Sequence, residues 1–178
     1  MQPTTDVIPS SSREKESFPV SVSWVQDLQF IANDEYNHTI VLDASPQTGG
    51  HQTGPTPGRL LLMAVAGCTA MDVVDILKKS RQKLTGLSVL SRAVQDEDNP
   101  RYYKEIYLRY ILRGKALDKS RVERAIRLSE EKYCPVGATV RGKAKIIVEY
   151  QIQDDDAPAE LGNTLEPQCL SIEGERLE

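Results

Sequence analysis

Alternating hydrophobic and polar positions predict three short strands near the start of the chain. Val20, Val22 and Trp24 alternate with serines, a period of two that is typical of a strand with one buried face. Residues 28–32 and 38–42 are two further apolar runs, each following a short polar turn. We therefore predict a three-stranded meander.

The most apolar part of the chain is residues 60–71, where no side chain carries a charge. A helix in this segment would be apolar on every side and would have to be buried all round. From Val73 the pattern becomes amphipathic, and Pro57 is well placed to open the helix. The uncharged run is too short to cross a membrane, which takes roughly 18 or more apolar residues. Because three strands and a hairpin offer little cover, we predict a core helix that is covered by a second copy of the chain in an obligate dimer.

Cys68 lies in the middle of this apolar run. Residues one helical turn away share its face, and they include Val65 and Asp72, so the thiol lies where an apolar stripe meets carboxylates. One interpretation is an inert, buried cysteine that acts as a small hydrophobe. The other is a nucleophilic or redox thiol, which needs a nearby cation to favour the thiolate.

The second half of the chain predicts a hairpin, a second helix and a final strand. Residues 87–95 and 104–113 are strand patterns joined by the turn-forming segment 96–100, and residues 143–152 alternate in the same way. The second helix is predicted over residues 118–133.

Two signals mark the ends of this second helix. Ser120 and Glu123 have the spacing of a capping box at its start. Pro135 disfavours helical geometry in the residue before it, so Cys134 is predicted at an irregular corner.

The chain ends differ in composition from the middle. Residues 1–17 are rich in Ser, Thr, Pro and charge and predict a disordered arm, and residues 154–178 predict an acidic, flexible tail in which Cys169 is a bystander. Residues 18–153 are left as one domain.

Composition excludes several functions. The formal net charge is −4, and no Lys/Arg run alternates with aromatic residues, which argues against nucleic-acid binding. The first residues show no secretory signal, so we expect a cytoplasmic protein whose cysteines are thiols or a transient redox pair. The cysteines are not clustered along the sequence, and His38 and His51 are the only histidines, so we expect neither a metal centre nor a cofactor. His51 is interpreted as a solvated loop residue.

Two segments resemble the cysteine motifs of the OsmC/Ohr family. They are GPTPGRLLLMAVAGCTAMDVVDILKK at residues 54–79 and LDKSRVERAIRLSEEKYCPV at residues 117–136, and the order of elements agrees over about 18–153. The resemblance implies an α+β fold in which two intertwined subunits wrap antiparallel sheets around two central helices. It also implies two active sites at the dimer interface.

The same resemblance implies a stress-response enzyme, a thiol peroxidase that reduces organic hydroperoxides. By position, Cys68 would be the peroxidatic residue and Cys134 the resolving residue. The peroxide would oxidise Cys68 to a sulfenic acid, Cys134 would capture it as a disulfide, and an external dithiol would reduce both.

One departure from the family pattern concerns activation of the thiol. Family peroxidases use an Arg oriented by a Glu nine or ten residues before the peroxidatic cysteine, whereas Arg59 and Gly58 occupy those positions here. No Arg or Lys occurs from Phe18 to Gly58. Arg59 could take this role only if the helix starts after it or if it reaches the partner chain, and on that basis Arg59→Ala should slow peroxide reduction. The alternative is a ligand-binding or interaction module of the same fold with little peroxidase activity.

Overall fold

A computed structural model of the protein describes residues 18–155 and 168–170. The predicted arm at 1–17 and the parts of the predicted tail at 156–167 and 171–178 lie outside the described residues. The chain divides into two compact units, residues 1–57 and residues 58–178. Each unit is described by itself.

The first unit contains the predicted meander. Strands β1 (Val20–Gln26), β2 (Gln29–Asp34) and β3 (Thr39–Leu42) pair antiparallel in the order β1-β2-β3. Asp27 and Asn37 take positive φ angles of 42° and 65° in the two connecting turns. Asp and Asn accept this left-handed conformation more readily than most residues, so the local sequence explains both turns.

Asp43 organises the loop that follows β3. Its buried carboxylate accepts hydrogen bonds from the backbone N–H groups of Ala44 (2.8 Å), His51 (3.1 Å) and Thr53 (3.0 Å), and from the Thr53 hydroxyl (2.8 Å). These donors stabilise the carboxylate and hold the pKa of Asp43 at about 2. The backbone N–H of His51 holds the loop through this bond to Asp43, while its side chain is half exposed. This agrees with the predicted solvated histidine.

The second unit contains a four-stranded sheet and, within the described residues, three α-helices. Its elements are α1 (Pro57–Lys79), β4 (Lys83–Gln95), β5 (Tyr103–Lys115), α2 (Lys119–Leu128), α3 (Pro135–Arg141), β6 (Lys145–Asp154) and β7 (Gln168–Leu170). Among the described residues the sheet order is β4-β5-β6-β7, and only the β5–β6 pair is parallel. The α+β class is therefore confirmed, but the expectation of purely antiparallel sheets is wrong at this pair, because helices link these two strands and return the chain to the same end.

The core of this unit follows the predicted alternation in β5. Ile106, Leu108, Tyr110 and Leu112 are fully buried, while Arg109 on the opposite face is exposed. α1 supplies a stripe to the same core at helical spacing. The buried residues of that stripe are Val65, Ala66, Thr69, Val73 and Leu77.

Within a single chain α1 is buried only along this stripe, and the burial of its other faces by a second copy of the chain stays a prediction. Leu61, Met63 and Met71 are 38%, 56% and 75% exposed. By length and hydropathy alone α1 is also long enough to cross a bilayer. We assign it instead to a protein core, because Val73 and Leu77 are fully buried inside the second unit.

The second predicted helix differs from the structure at both ends. Its N-cap is Asp118, whose side chain accepts from the Arg121 backbone N–H at 3.0 Å, so the predicted capping box is wrong. The regular helix stops at Leu128 and continues as a π-helical turn over Ser129–Tyr133. The helix α3 was not predicted. It is only one to two turns long, and the proline and glycine in its first three residues usually indicate the end of a helix.

Residues 168–170 differ from the predicted flexible tail. They form β7, in which the backbones of Gln168 and Cys169 are paired with Tyr150 and Glu149 of β6. The Gln168 side chain also accepts from the Tyr150 hydroxyl at 2.8 Å, and Leu170 is buried in the core. These contacts explain why a short alternating segment is ordered here.

Candidate active site

The fold brings the two predicted site cysteines together. The Sγ atoms of Cys68 and Cys134 and a carboxylate oxygen of Asp72 all lie within 4.8 Å of one another. Both cysteines are free thiols, Cys68 half-buried in the middle of α1 and Cys134 only 3% exposed. Two thiols at this separation are close enough for one to attack a sulfenic acid on the other after a small movement.

Cys134 is placed by the irregular corner that its sequence predicts. It caps the N-terminus of α3, with Pro135 at the first helical position, and its backbone N–H donates to the Ser129 carbonyl at 2.9 Å. Its Sγ accepts a hydrogen bond from the Gly137 N–H at 3.2 Å. The sulfur therefore lies at the positive end of a short helix and is fixed in direction.

Burial controls the protonation of Cys134. Desolvation and the hydrogen bond with the Cys68 thiol raise the pKa of Cys134 to about 12, although the Gly137 N–H acts in the opposite direction. At neutral pH this residue is therefore almost wholly a thiol. A protonated partner suits a residue that reacts second rather than first.

Asp72 is held beside the thiols by Ser129. It follows Cys68 by four residues on the same face of α1, and its Oδ2 accepts from the buried Ser129 hydroxyl at 2.9 Å. Ser129 follows the last residue of α2 and continues its buried face, three residues after Ile126 and seven after Val122. The carboxylate is thus a fixed part of the site.

A buried hydrogen-bonded chain lies behind the two cysteines. The Tyr110 hydroxyl donates to Glu130 Oε1 at 2.8 Å, and Arg141 Nη2 donates to Glu130 Oε2 at 3.2 Å. Thr69, next to Cys68, contacts the Tyr110 hydroxyl oxygen, and it acts as the donor because the single tyrosine proton is given to Glu130. Burial raises the pKa values of Glu130 and Tyr110.

Arg141 is the cationic end of this chain and lies near Cys134. A Cβ atom added to Gly137 would lie 3.3 Å from Cys134 Sγ and 3.7 Å from Arg141 Nη2. The thiol and the guanidinium therefore border the same small space. Sequence reasoning missed Glu130 and Arg141, since the helix that carries Arg141 was not predicted and Glu130 reads as an exposed helical position.

The structure rules out one of the two ways in which Arg59 could serve. α1 begins at Pro57, before Arg59, so the idea that the helix starts after this arginine is wrong. Nine residues at the helical repeat place Arg59 on the face opposite to Cys68. A role through the partner chain stays a prediction.

In this α+β domain a thiol on α1 lies beside a thiol at the N-cap of α3. These features define a class of two-cysteine proteins, and comparison with known proteins identifies the family. The profile of the family described as OsmC-like protein matches residues 49–149. The chain is 34% identical to the protein YhfA of Escherichia coli (strain K12) over 131 residues, which are 74% of this chain and 95% of YhfA. The chain belongs to the OsmC-like family.

Solved structures share the fold at lower identity. An OsmC-like protein from Mycoplasma pneumoniae superposes with a TM-score of 0.66 at 18% identity, covering 78% of this chain and 98% of that one. An organic hydroperoxide resistance protein OsmC from Legionella pneumophila gives a TM-score of 0.57 at 14% identity, covering 74% and 94%. These likenesses concern the fold alone.

The raised pKa of Cys134 makes a prediction about labelling. At pH 8, iodoacetamide should modify Cys134 at least about 100-fold more slowly than it modifies a small reference thiol such as glutathione, because the thiolate is the nucleophile. Peptide mass spectrometry at timed intervals measures the rate. Protein unfolded in guanidinium is the control and should label Cys134 at the reference rate, whereas equally fast labelling of the folded protein would contradict the assigned pKa.

Proposed function

We propose that this protein is a cysteine-based thiol peroxidase that reduces organic hydroperoxides. The observation that carries the proposal is the pairing of Cys68 with Cys134, residues far apart in sequence, in a chain of the OsmC-like family. The Legionella protein of the same fold, an organic hydroperoxide resistance protein, supports this choice of substrate.

The proposed reaction has three steps. The Cys68 thiolate attacks the distal peroxide oxygen, the O–O bond breaks, and the alkoxide leaves as an alcohol after taking up a proton, so that Cys68 becomes a sulfenic acid. The Cys134 thiol then attacks the Cys68 sulfur, which forms a disulfide and releases water. An external dithiol reduces this disulfide by thiol exchange and returns both cysteines to thiols.

The environments of the two cysteines support this order. Cys68 is half-buried, so a peroxide has access to it, whereas Cys134 is buried and its raised pKa keeps it protonated. Either attack by Cys134 proceeds through its thiolate, which the site disfavours. Its sulfur already lies within 4.8 Å of Cys68 Sγ, and this proximity favours attack on a sulfenic acid formed there over attack on a peroxide in solution, which makes Cys134 the better resolving residue.

Arg141 is our candidate for the cation that activates the site. A thiolate beside the Asp72 carboxylate is disfavoured by like charge, so an efficient peroxidase needs a positive charge within reach. Arg141 is anchored by Glu130 and borders Cys134, so an arginine held by a glutamate lies near one of the two thiols. Arg59 from a partner chain is the competing candidate.

The same proposal includes a homodimer. Several large apolar side chains are exposed in the single chain, and a second copy would cover them. The examples on β1 are Val20, Val22 and Trp24, which are 62%, 56% and 67% exposed. We place this dimer in the cytoplasm, because a catalytic cycle through free thiols needs a reducing compartment.

A second candidate function is a ligand-binding module of the same fold. The observation that favours it is a pocket of about 380 Å³ in the first unit, with apolar walls formed mainly by Val22, Leu28, Phe30 and Leu42. Pockets of this kind accept small apolar molecules. The Cys68 pKa distinguishes the candidates: a value near 8.5 or above, measured by pH-dependent alkylation, favours the binder.

Substitution of single cysteines tests the reaction order. Cys68→Ser should abolish turnover of an organic hydroperoxide with a dithiol reductant, because the nucleophile is lost. Cys134→Ser should permit oxidation of Cys68 once and leave it unresolved as a sulfenic acid, which a dimedone adduct detects by mass spectrometry. Cys169→Ser is the matched control and should change nothing. Equal residual activity in the first two variants would point to unspecific thiol chemistry.

Two arginine variants test the activating cation. Arg141→Ala should slow peroxide reduction by one to two orders of magnitude, about 1.4 to 2.8 kcal/mol of transition-state stabilisation. Arg127→Ala removes an exposed arginine from the end of α2 and is the matched control. Stopped-flow measurement of one oxidation gives the rate. If Arg59→Ala shows the loss and Arg141→Ala does not, the cation comes from Arg59.

The dimer is tested on β1, where neighbouring residues point to opposite faces. Light scattering of the wild type at micromolar concentration should give about twice the chain mass. Val22→Asp places a charge on the exposed apolar face and should yield monomer or aggregate, while Ser21→Asp on the opposite face should leave the dimer intact. A stable, folded wild-type monomer would refute the proposed assembly.

A further inference from the structure

We propose that the reduced site binds a thiophilic divalent cation, zinc above all, through Cys68 Sγ, Cys134 Sγ and the Asp72 carboxylate. The sequence predicts no metal centre, because its cysteines are not clustered along the chain. The fold supplies the clustering instead, since it brings one ligand atom from each of these residues within 4.8 Å of the other two. The proposal goes beyond peroxide reduction and does not need it.

The separations suit the ion. Zn–S bonds of about 2.3 Å and Zn–O bonds of about 2.0 to 2.2 Å place tetrahedral ligands roughly 3.5 to 3.8 Å apart. Ligand atoms that lie within 4.8 Å of one another reach these distances through small side-chain rotations. Cys68 and Asp72 lie on one face of α1 at a spacing of four residues, so two of the ligands sit on a rigid helix.

Two of the three ligands are already oriented by hydrogen bonds that leave room for a metal bond. Ser129 Oγ donates to Asp72 Oδ2 at 2.9 Å, and the Gly137 N–H donates to Cys134 Sγ at 3.2 Å. Such outer contacts fix the direction of a ligand and stabilise its anionic form, and their loss typically weakens metal affinity 10- to 100-fold. The site therefore has supporting contacts as well as ligands.

Charge and access are also compatible with a divalent ion. Binding would release the two thiol protons, and two thiolates with one carboxylate around Zn²⁺ carry a net charge of −1. The Arg141 guanidinium borders Cys134 but is already paired with Glu130, so the site would keep this charge of −1 beside a neutral ion pair. Cys68 and Asp72 are half-buried, so an ion can enter from their side, and the fourth position is open to a water molecule.

The metal and the peroxide would compete for the same sulfur atoms. Zinc holds both sulfurs as ligands and keeps Cys68 from attacking an O–O bond. Conversely, a hydroperoxide and the two thiols give a disulfide, an alcohol and water, and the disulfide no longer offers thiolate ligands. Binding of zinc would thus protect the reduced pair, and oxidation would release the ion; this consequence alone depends on the proposed function.

The test uses the full-length protein, reduced and freed of metal under anaerobic conditions, and titrates it with Co²⁺ as a spectroscopic probe. We expect one ion per chain and a thiolate-to-cobalt charge-transfer band that Zn²⁺ removes by displacement. Cys68→Ser and Cys134→Ser should each weaken the band, and protein oxidised with a hydroperoxide should lose it. Competition with a chromogenic chelator then gives the zinc affinity of each variant.

Two conservative variants keep both thiols and test the remaining contacts. Asp72→Asn should weaken zinc binding about tenfold or more, and Ser129→Ala about 10- to 100-fold. Asp75→Asn is the matched control on the same helix, because this carboxylate is paired with Lys79 at 2.6 Å and should not affect affinity.

The proposal is overturned if the charge-transfer band is absent, if it persists in protein whose Cys68–Cys134 disulfide has been confirmed by mass spectrometry, or if Asp75→Asn weakens binding as much as Asp72→Asn does. The last result would indicate loose association with surface carboxylates. Metal-free protein that binds cobalt as described but fails to reduce peroxide would count against the proposed function and leave the metal site standing. Protein that reduces peroxide but does not bind cobalt as described would refute the metal site and leave the proposed function standing.

Discussion

The arrangement of the site depends on one buried carboxylate, Glu130. A charged side chain that is only 2% exposed is strongly disfavoured unless its oxygens are hydrogen-bonded or paired, and both oxygens of Glu130 are occupied, one by Tyr110 and the other by Arg141. These partners come from β5 and from the end of α3. Satisfying this carboxylate therefore fixes three parts of the second unit together. The Thr69 hydroxyl extends the same chain to α1, one residue from Cys68.

The π-helical turn over Ser129–Tyr133 carries several of the contacts that hold the site together. It begins at Ser129, which bonds to Asp72, includes Glu130 of the buried chain, and ends at Cys134, whose N–H bonds to the Ser129 carbonyl five residues earlier. A regular α-helix would place the residues after Glu130 differently, because a π turn adds one residue to the repeat. The position of the Cys134 thiol is thus a consequence of helix irregularity, and π turns of this kind often occur at functional sites.

Much of this fold could be predicted from periodicity, and much of the site could not. The alternation of apolar and polar residues identified β1 to β3 and the buried face of β5, because alternate side chains of a strand lie on the same face. The pairing of Cys68 with Cys134 followed from a resemblance, not from spacing. Glu130 and Arg141 carried no signal, because a charged residue on a helix reads as solvent-exposed, and only the tertiary contacts reveal its burial. The parallel β5–β6 pair depends on the path of the chain between the strands, which a pattern of hydrophobic positions does not encode.

The Asp72 carboxylate affects any reaction that forms a negative charge at this site. The Asp72 carboxylate lies one turn from Cys68, where like charges would repel, and burial raises the pKa of the Cys134 thiol. A positive charge relieves both effects, and the structure offers one in Arg141. A divalent cation would relieve them more strongly, but it would occupy the same sulfur atoms that the proposed peroxide reaction uses. The two proposals therefore make opposite use of one carboxylate: Asp72 would oppose an unassisted thiolate, and it would complete the proposed metal site.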